Sequence, residues 1–268
     1  MRDFYAAAAT AAPQDQADGL RRMFRGRQRR VLPLVANPHV PFCGVVLDRL
    51  AAVLAEQGRQ VLVVDAALHS PPAHELALLD LAACVERLSS RVSYLAAQGL
   101  PMAHVDTRGS ADAFIDAVQG AAPQAEVILL HAEAADLARM LMRRSARPLL
   151  IAADHPESVK HAYATCKLLA RRCGLMTYDL LLAAAPGSPR AQGIAATLAH
   201  CADGFLGALL HDWALIDPAG ELGDAPDEAL ARLLAAQLTL DEAPPRRAAP
   251  AHAAAGSFEP TPITSVFR

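Results

Sequence analysis

Short apolar runs alternate along the chain with longer segments in which apolar residues recur every three or four positions. Residues 31–36, 60–64, 126–130, 148–153 and 178–184 are the short runs, and their length and richness in Val, Ile and Leu predict strands. Helical spacing covers residues 42–57, where Gly58 supplies a natural stop, and returns at 110–119 and 192–201. Residues 73–98 carry helical periodicity in two pieces, and 102–105 reads as a short strand. Two apolar segments, 205–210 and 213–216, are expected to close the sheet. Residues 227–240 form a last helix with Leu230, Leu233, Leu234 and Leu238 on one side. Strands apolar on both sides and separated by helices predict a mainly parallel sheet covered on both faces. The fold class is therefore α/β, doubly wound, with no boundary inside residues 28–218.

Composition narrows the function classes more than it changes the fold. Of 268 residues, 53% are hydrophobic, enough for one large core. The net charge of −3 gives no general reason to expect nucleic acid as a partner. No stretch is long and apolar enough to suggest a membrane span, and the lead lacks the basic-then-apolar order of a signal peptide, so a cytoplasmic protein is expected. Five cysteines at irregular intervals predict reduced thiols, and neither they nor the scattered histidines have metal-ligand spacing. No metal site is expected.

The ends of the chain differ from its middle. Residues 1–27 read as a mobile lead containing one short amphipathic helix, 14–24, in which Ala17, Leu20, Met23 and Phe24 share a side. Six arginines follow between Arg21 and Arg30. Residues 28–243 form the α/β domain with its last helix, and 244–268 are a Pro/Ala-rich tail expected to be disordered.

A doubly wound sheet binds ligands beyond the carboxyl ends of its strands. The first strand-to-helix turn reads Asn37-Pro-His-Val-Pro-Phe-Cys-Gly44. A phosphate cradle needs converging backbone N–H groups, a lysine, and a hydroxyl for Mg²⁺. Pro38 and Pro41 have no N–H, Val40 and Phe42 are bulky, and lysine and Ser/Thr are absent. Asp65 ends the second strand, as the remnant of an acidic site or as a cap or turn former. His131 and Glu133 follow the third confident strand, where a nucleotidase would carry aspartate. Asp154-His155-Pro156 reads as a helix start before it reads as a catalytic pair.

The segment Asp15-Gln-Ala-Asp-Gly-Leu-Arg-Arg22 resembles the N-terminal activator motif of the FlhG/FleN family, flagellar-number regulators within the MinD/ParA group of P-loop ATPases. The likeness continues through residues 28–67 and returns at 154–169. It implies a MinD/ParA-like P-loop NTPase fold. Carried over by position, the loop's two lysines fall at Pro38 and Cys43, its glycines at His39, Val40 and Phe42, and its threonine at Gly44. Asp65 matches the family's first aspartate after the second strand, Ala67 its second, and residues 183–185 its Asn-Arg pair. Pro38, Cys43, Gly44 and Asp65 would then be a vestigial nucleotide site, with no cofactor and no ATPase of its own; the alternative is ATP with Mg²⁺ on a divergent loop. The resemblance implies an FlhF-type signal-recognition GTPase as partner, contacted by Asp15, Gln16, Ala17, Leu20, Arg21 and Phe24, with Gln16 assisting hydrolysis in trans. It also implies a homodimer and recruitment to the cell pole, whereas membrane association is expected to be weak or indirect, because Asp227, Glu228, Asp241 and Glu242 flank the last helix. A partition-type, DNA-associated protein is the other alternative, favoured only by the arginine run.

Overall fold

The computed structural model describes residues 29–220 and 227–239. The expected activator helix at 14–24 and the tail at 244–268 lie outside the described residues. Among the described residues eight strands make one sheet: β1 (Arg30–Val35), β2 (Val61–Asp65), β3 (Glu86–Arg87), β4 (Val92–Ala96), β5 (Val127–Ala132), β6 (Leu149–Ala153), β7 (Thr177–Ala183) and β8 (Leu209–Ile216). Their order across the sheet is β3-β4-β2-β5-β1-β6-β7-β8. Every pairing is parallel except that of the two-residue edge strand β3 with β4. The α/β, doubly wound, mainly parallel architecture expected from the alternating pattern is the one observed.

Side chains alternate between the two faces of each strand, and the two cores divide accordingly. On one face Leu32, Leu34, Val61, Val63, Val127 and Leu129 meet helix α1 (Cys43–Glu56), through Val46, Leu50 and Leu54, and helix α7 (Glu228–Leu238). On the other, Leu62, Val64, Ile128 and Leu130 pack with α3 (Asp112–Ala121), α4 (Ala134–Met140), α5 (Pro156–Cys173) and α6 (Ala191–Leu206). A short helix α2 (Leu100–Ala103) precedes α3.

Two segments differ from their sequence periodicity. Residues 73–98 form two 3₁₀ turns (Glu75–Leu78 and Ala82–Cys84), then β3 and β4, where helix was expected. Pairing decides this: β4 lies in full register on β2, from Val61 opposite Val92 to Asp65 opposite Ala96. Residues 102–105, expected as a strand, instead end α2, which starts after Gly99 at φ 80°. The two segments expected to close the sheet are the end of α6, at Leu206, and the single strand β8.

Helix α7 uses its leucines inside the domain. Asp227 caps it by accepting from the Ala229 N–H at 3.0 Å, and Leu230, Leu233 and Leu234 are buried against the α1 face. Each such burial stabilises by about 1.5–3 kcal/mol. Arg232, on the outer side, pairs with both oxygens of Asp212 at 3.2 and 3.1 Å. Among the described residues no helix is long and apolar enough to cross a membrane.

Candidate functional site

The turn after β1 is held by its own side chains. Asn37 is buried and donates through Nδ2 to Ile151 O at 2.8 Å and to Ser158 O and Oγ at 3.0 Å, tying the turn to β6 and α5. Its Oδ1 accepts from the His39 N–H at 3.1 Å, and Val40 turns into the core. Phe42 then adopts the left-handed region at φ 57°, ψ 38°, unusual for a bulky residue, and leaves its ring 73% exposed. Helix α1 starts at Cys43. Val45 and Val46 donate to Phe42 O, and the Gly44 N–H meets no acceptor among the described residues. Unpaired first-turn donors and the helix dipole make this end of α1 electropositive.

Three strand ends converge on that helix start. Asp65 and His131 are register partners on β2 and β5. Alternation puts them on the same face as Val63 and Leu129, and so under α1. His131 Nδ1 lies 2.7 Å from Asp65 Oδ1, and Cys43 Sγ lies 3.5 Å from His131 Nε2. Ser70 Oγ donates to the same Asp65 oxygen, and Tyr94 OH donates to Oδ2 at 3.5 Å. His131 is 4% and Asp65 8% exposed, so the pair is nearly dry.

Burial acts on both groups, and pairing outweighs it. Desolvation would push the His131 imidazole down, but the hydrogen bonds with Asp65 and Cys43 hold it at about 9. Desolvation would likewise raise the Asp65 carboxyl, yet His131 and Ser70 hold it below the ordinary value of 3.8. The two contributions to stability have opposite pH limits. That of Asp65 is present above 3.8 and lost as pH falls through its lowered folded value; that of His131 is complete below 6.5 and lost as pH rises through about 9. The melting temperature is therefore expected to hold between 3.8 and 6.5, then to decline towards about 9, with the alkaline decline missing in His131→Gln. Melting curves across this range check it.

The four residues expected at a vestigial site are not equally placed. Cys43 and Asp65 are joined through His131, Gly44 is exposed at the first turn of α1, and Pro38 stands exposed on the turn without a polar contact. Asp65 is the ion-pair partner of His131 and also accepts from the Ala67 backbone N–H, as a turn former does. Glu133 accepts from the Leu68 N–H at 3.4 Å, bridging two loops. His155 caps α5 by accepting from the Glu157 N–H at 3.3 Å, while Asp154 takes Ser188 Oγ at 3.0 Å, so this pair is structural. His131 was the residue missed. Its signal was available, because positions 127, 129 and 131 share a face, as do 61, 63 and 65.

A separate hollow of about 1010 Å³ opens at the amino ends of β2, β4 and β5, lined by Arg29, Gln60, Ser93, Gln119, Pro123 and Glu126. It is at the wrong end of the sheet for the ligand crevice of a doubly wound fold.

No family model and no curated protein sequence matches the chain. Solved structures do. A plasmid partition protein from Borrelia burgdorferi bound to AMPPNP superposes with a TM-score of 0.54 at 9% identity, over 78% of this chain and 98% of that one. The MinD cell division protein of Aquifex aeolicus superposes with a TM-score of 0.53 at 12% identity, over 77% and 97%. These likenesses correct the expectation that no cofactor is involved, since the same fold holds a nucleotide analogue in the Borrelia protein. That expectation rested on the missing lysine of the turn. The structure brings positive charge from another strand instead, placing the His131 imidazole beside the α1 N-terminus. In architecture, strand pairing and helix layers, the chain has the MinD/ParA-like P-loop ATPase fold.

Proposed function

We propose that this chain is a MinD/ParA-type positioning or partition regulator that binds an adenine nucleotide with Mg²⁺ at the turn between β1 and α1. One observation carries the reading: an open N–H at the start of α1, a cationic His131 and the Asp65 carboxylate lie together at the carboxyl ends of β1, β2 and β5. The AMPPNP bound to the Borrelia partition protein of the same fold supports it.

The residues suit the two halves of the ligand unequally. The first-turn N–H groups, Gly44 foremost, would hold phosphate oxygen, with His131 adding positive charge behind them. Asp65 would face the metal, through water, since magnesium commonly keeps several waters and needs only one or two carboxylates. When bound, the metal would neutralise phosphate charge. Position 44 has no hydroxyl and the turn has no lysine, so occupancy rather than rapid hydrolysis is the output of this site.

Calorimetric titration of the full chain with AMPPNP and Mg²⁺ tests the reading. A dissociation constant of about 10–100 μM is expected, weaker than a lysine-bearing loop would give. In Gly44→Val the added Cβ meets nothing within 4 Å, so the fold is retained, while the side chain covers the N–H. That variant should bind about tenfold more weakly. No heat at roughly 1 mM ligand would remove the nucleotide reading.

A finer reading rests on residues 14–24, whose match to the FlhG/FleN activator motif supports an FlhF-type GTPase as the partner. Nucleotide occupancy would then govern the domain that presents the activator segment.

A further inference from the structure

Cys43, His131 and Asp65 stand in a relation that nucleotide binding does not require. A thiol lies in reach of one imidazole nitrogen, at 3.5 Å, and the other nitrogen is fixed by a carboxylate at 2.7 Å. This is the order nucleophile, base, orienting acid. The three residues come from the start of α1 and the ends of β5 and β2, far apart in sequence and joined only by the register of the sheet. We propose that Cys43, His131 and Asp65 form a cysteine acyl-transfer centre that acts on short, uncharged acyl esters and thioesters.

Each group has a physical role. Asp65 fixes His131 through Nδ1, so that Nε2 faces the Cys43 thiol and can exchange a proton with it. The start of α1 favours the negative charge that develops on sulfur. Cys43 is partly exposed, whereas Cys166 is buried with its thiol pushed up to about 11 by desolvation, so Cys166 is no rival nucleophile. The open Gly44 N–H, one residue beyond the nucleophile, can hold an oxyanion. Phe42 at 73% and Leu68 at 65% exposure flank Cys43 and Asp65 along the chain and offer an apolar rather than a charged surface, which suits an uncharged acyl group.

The steps balance without any further reagent than water. Sγ passes its proton to His131 Nε2 as it attacks the carbonyl carbon, the C–S bond forms, and the carbonyl electrons move to oxygen beside the Gly44 N–H. Collapse breaks the bond to the leaving oxygen or sulfur, which takes the Nε2 proton of His131. Water then adds to the thioester as neutral His131 accepts its proton, and the thiolate departs with the acid released.

The test uses the full chain and p-nitrophenyl acetate, without nucleotide, so its failure leaves the nucleotide reading intact. A burst of about one p-nitrophenolate per chain is expected, with the acetyl group found on the Cys43 peptide by mass spectrometry. In His131→Gln acylation should slow at least about tenfold, because no base remains to take the thiol proton. Asp65→Asn should slow acylation at least about tenfold. Cys43→Ala removes the burst while the chain stays folded, and Cys84→Ser keeps the burst. Acetyl groups spread over several cysteines, or an unchanged acylation rate in His131→Gln, would overturn the proposal.

Discussion

Replacing Gln16 with alanine is expected to abolish most of the stimulation of an FlhF-type GTPase while leaving the complex nearly as tight. The expectation follows from the proposed activator segment. A neutral amide can accept from an attacking water and donate to phosphate oxygen, so its contribution appears mainly in the transition state. The maximal rate should fall at least about tenfold, with the dissociation constant within about twofold. Leu20→Ala and Phe24→Ala should do the opposite, weakening association by roughly 1–3 kcal/mol each through lost apolar contact. A peptide of residues 1–27 should stimulate as far as the whole chain. A GTPase assay comparing chain, peptide and variants reads all of this, and equal stimulation by wild type and Gln16→Ala would end the proposed role.

Asp179→Ala is expected to be the most destabilising single change in the described domain. Asp179 is fully buried on β7 and gathers three other parts of the fold. Gln237 of α7 donates to Oδ2 at 2.6 Å, the Asp212 N–H of β8 donates to Oδ1 at 3.1 Å, and Arg147, ahead of β6, brings its Nε within 2.9 Å of Oδ2. That Nε makes no hydrogen bond, so the contact with Arg147 is one of charge. Burial raises the Asp179 carboxyl even so, with Arg147 acting against it. Removing the carboxylate leaves the buried Arg147 unpaired, which costs about 3–5 kcal/mol. At roughly 2–4 °C per kcal/mol for a domain of this size, the melting temperature should drop by about 6–20 °C. Asp179→Asn keeps an acceptor for the Asp212 N–H and should cost less. A loss below about 1 kcal/mol for Asp179→Ala would mean that α7 is held by its leucines alone.

The alternation of apolar runs with helical spacing was enough to read the architecture, because strands buried on both faces leave a continuous signal. Where the pattern was weak, neighbours decided. Residues 92–96 carry a spacing compatible with helix, yet β2 offers a full row of backbone partners, and the segment became a strand. Asp179 escaped notice within an otherwise apolar run, since its partners are 32 residues upstream at Arg147 and 58 downstream at Gln237. The candidate site was legible only by halves. The turn from Asn37 to Gly44 shows in sequence that lysine and hydroxyl are absent, and Asp65 stands out at a strand end. That His131 joins Cys43 to Asp65 did not show, although the parity of 61, 63, 65 and of 127, 129, 131 contained it.

What the sequence alone determined is local and periodic: that the long apolar runs are strands, that α1 begins near Phe42, that a last helix carries Leu230, Leu233 and Leu234 on one side, and which groups the first turn lacks. These follow from side-chain spacing and backbone chemistry within a few residues, and neither depends on the rest of the chain. The tertiary structure decided what meets what. Register placed His131 opposite Asp65, the right-handed return of α1 brought Cys43 over that pair, and the leucines of α7 went into the core instead of facing outward. Charge at the site comes from these meetings, because pairing with Asp65 holds His131 protonated against the burial that would push it down.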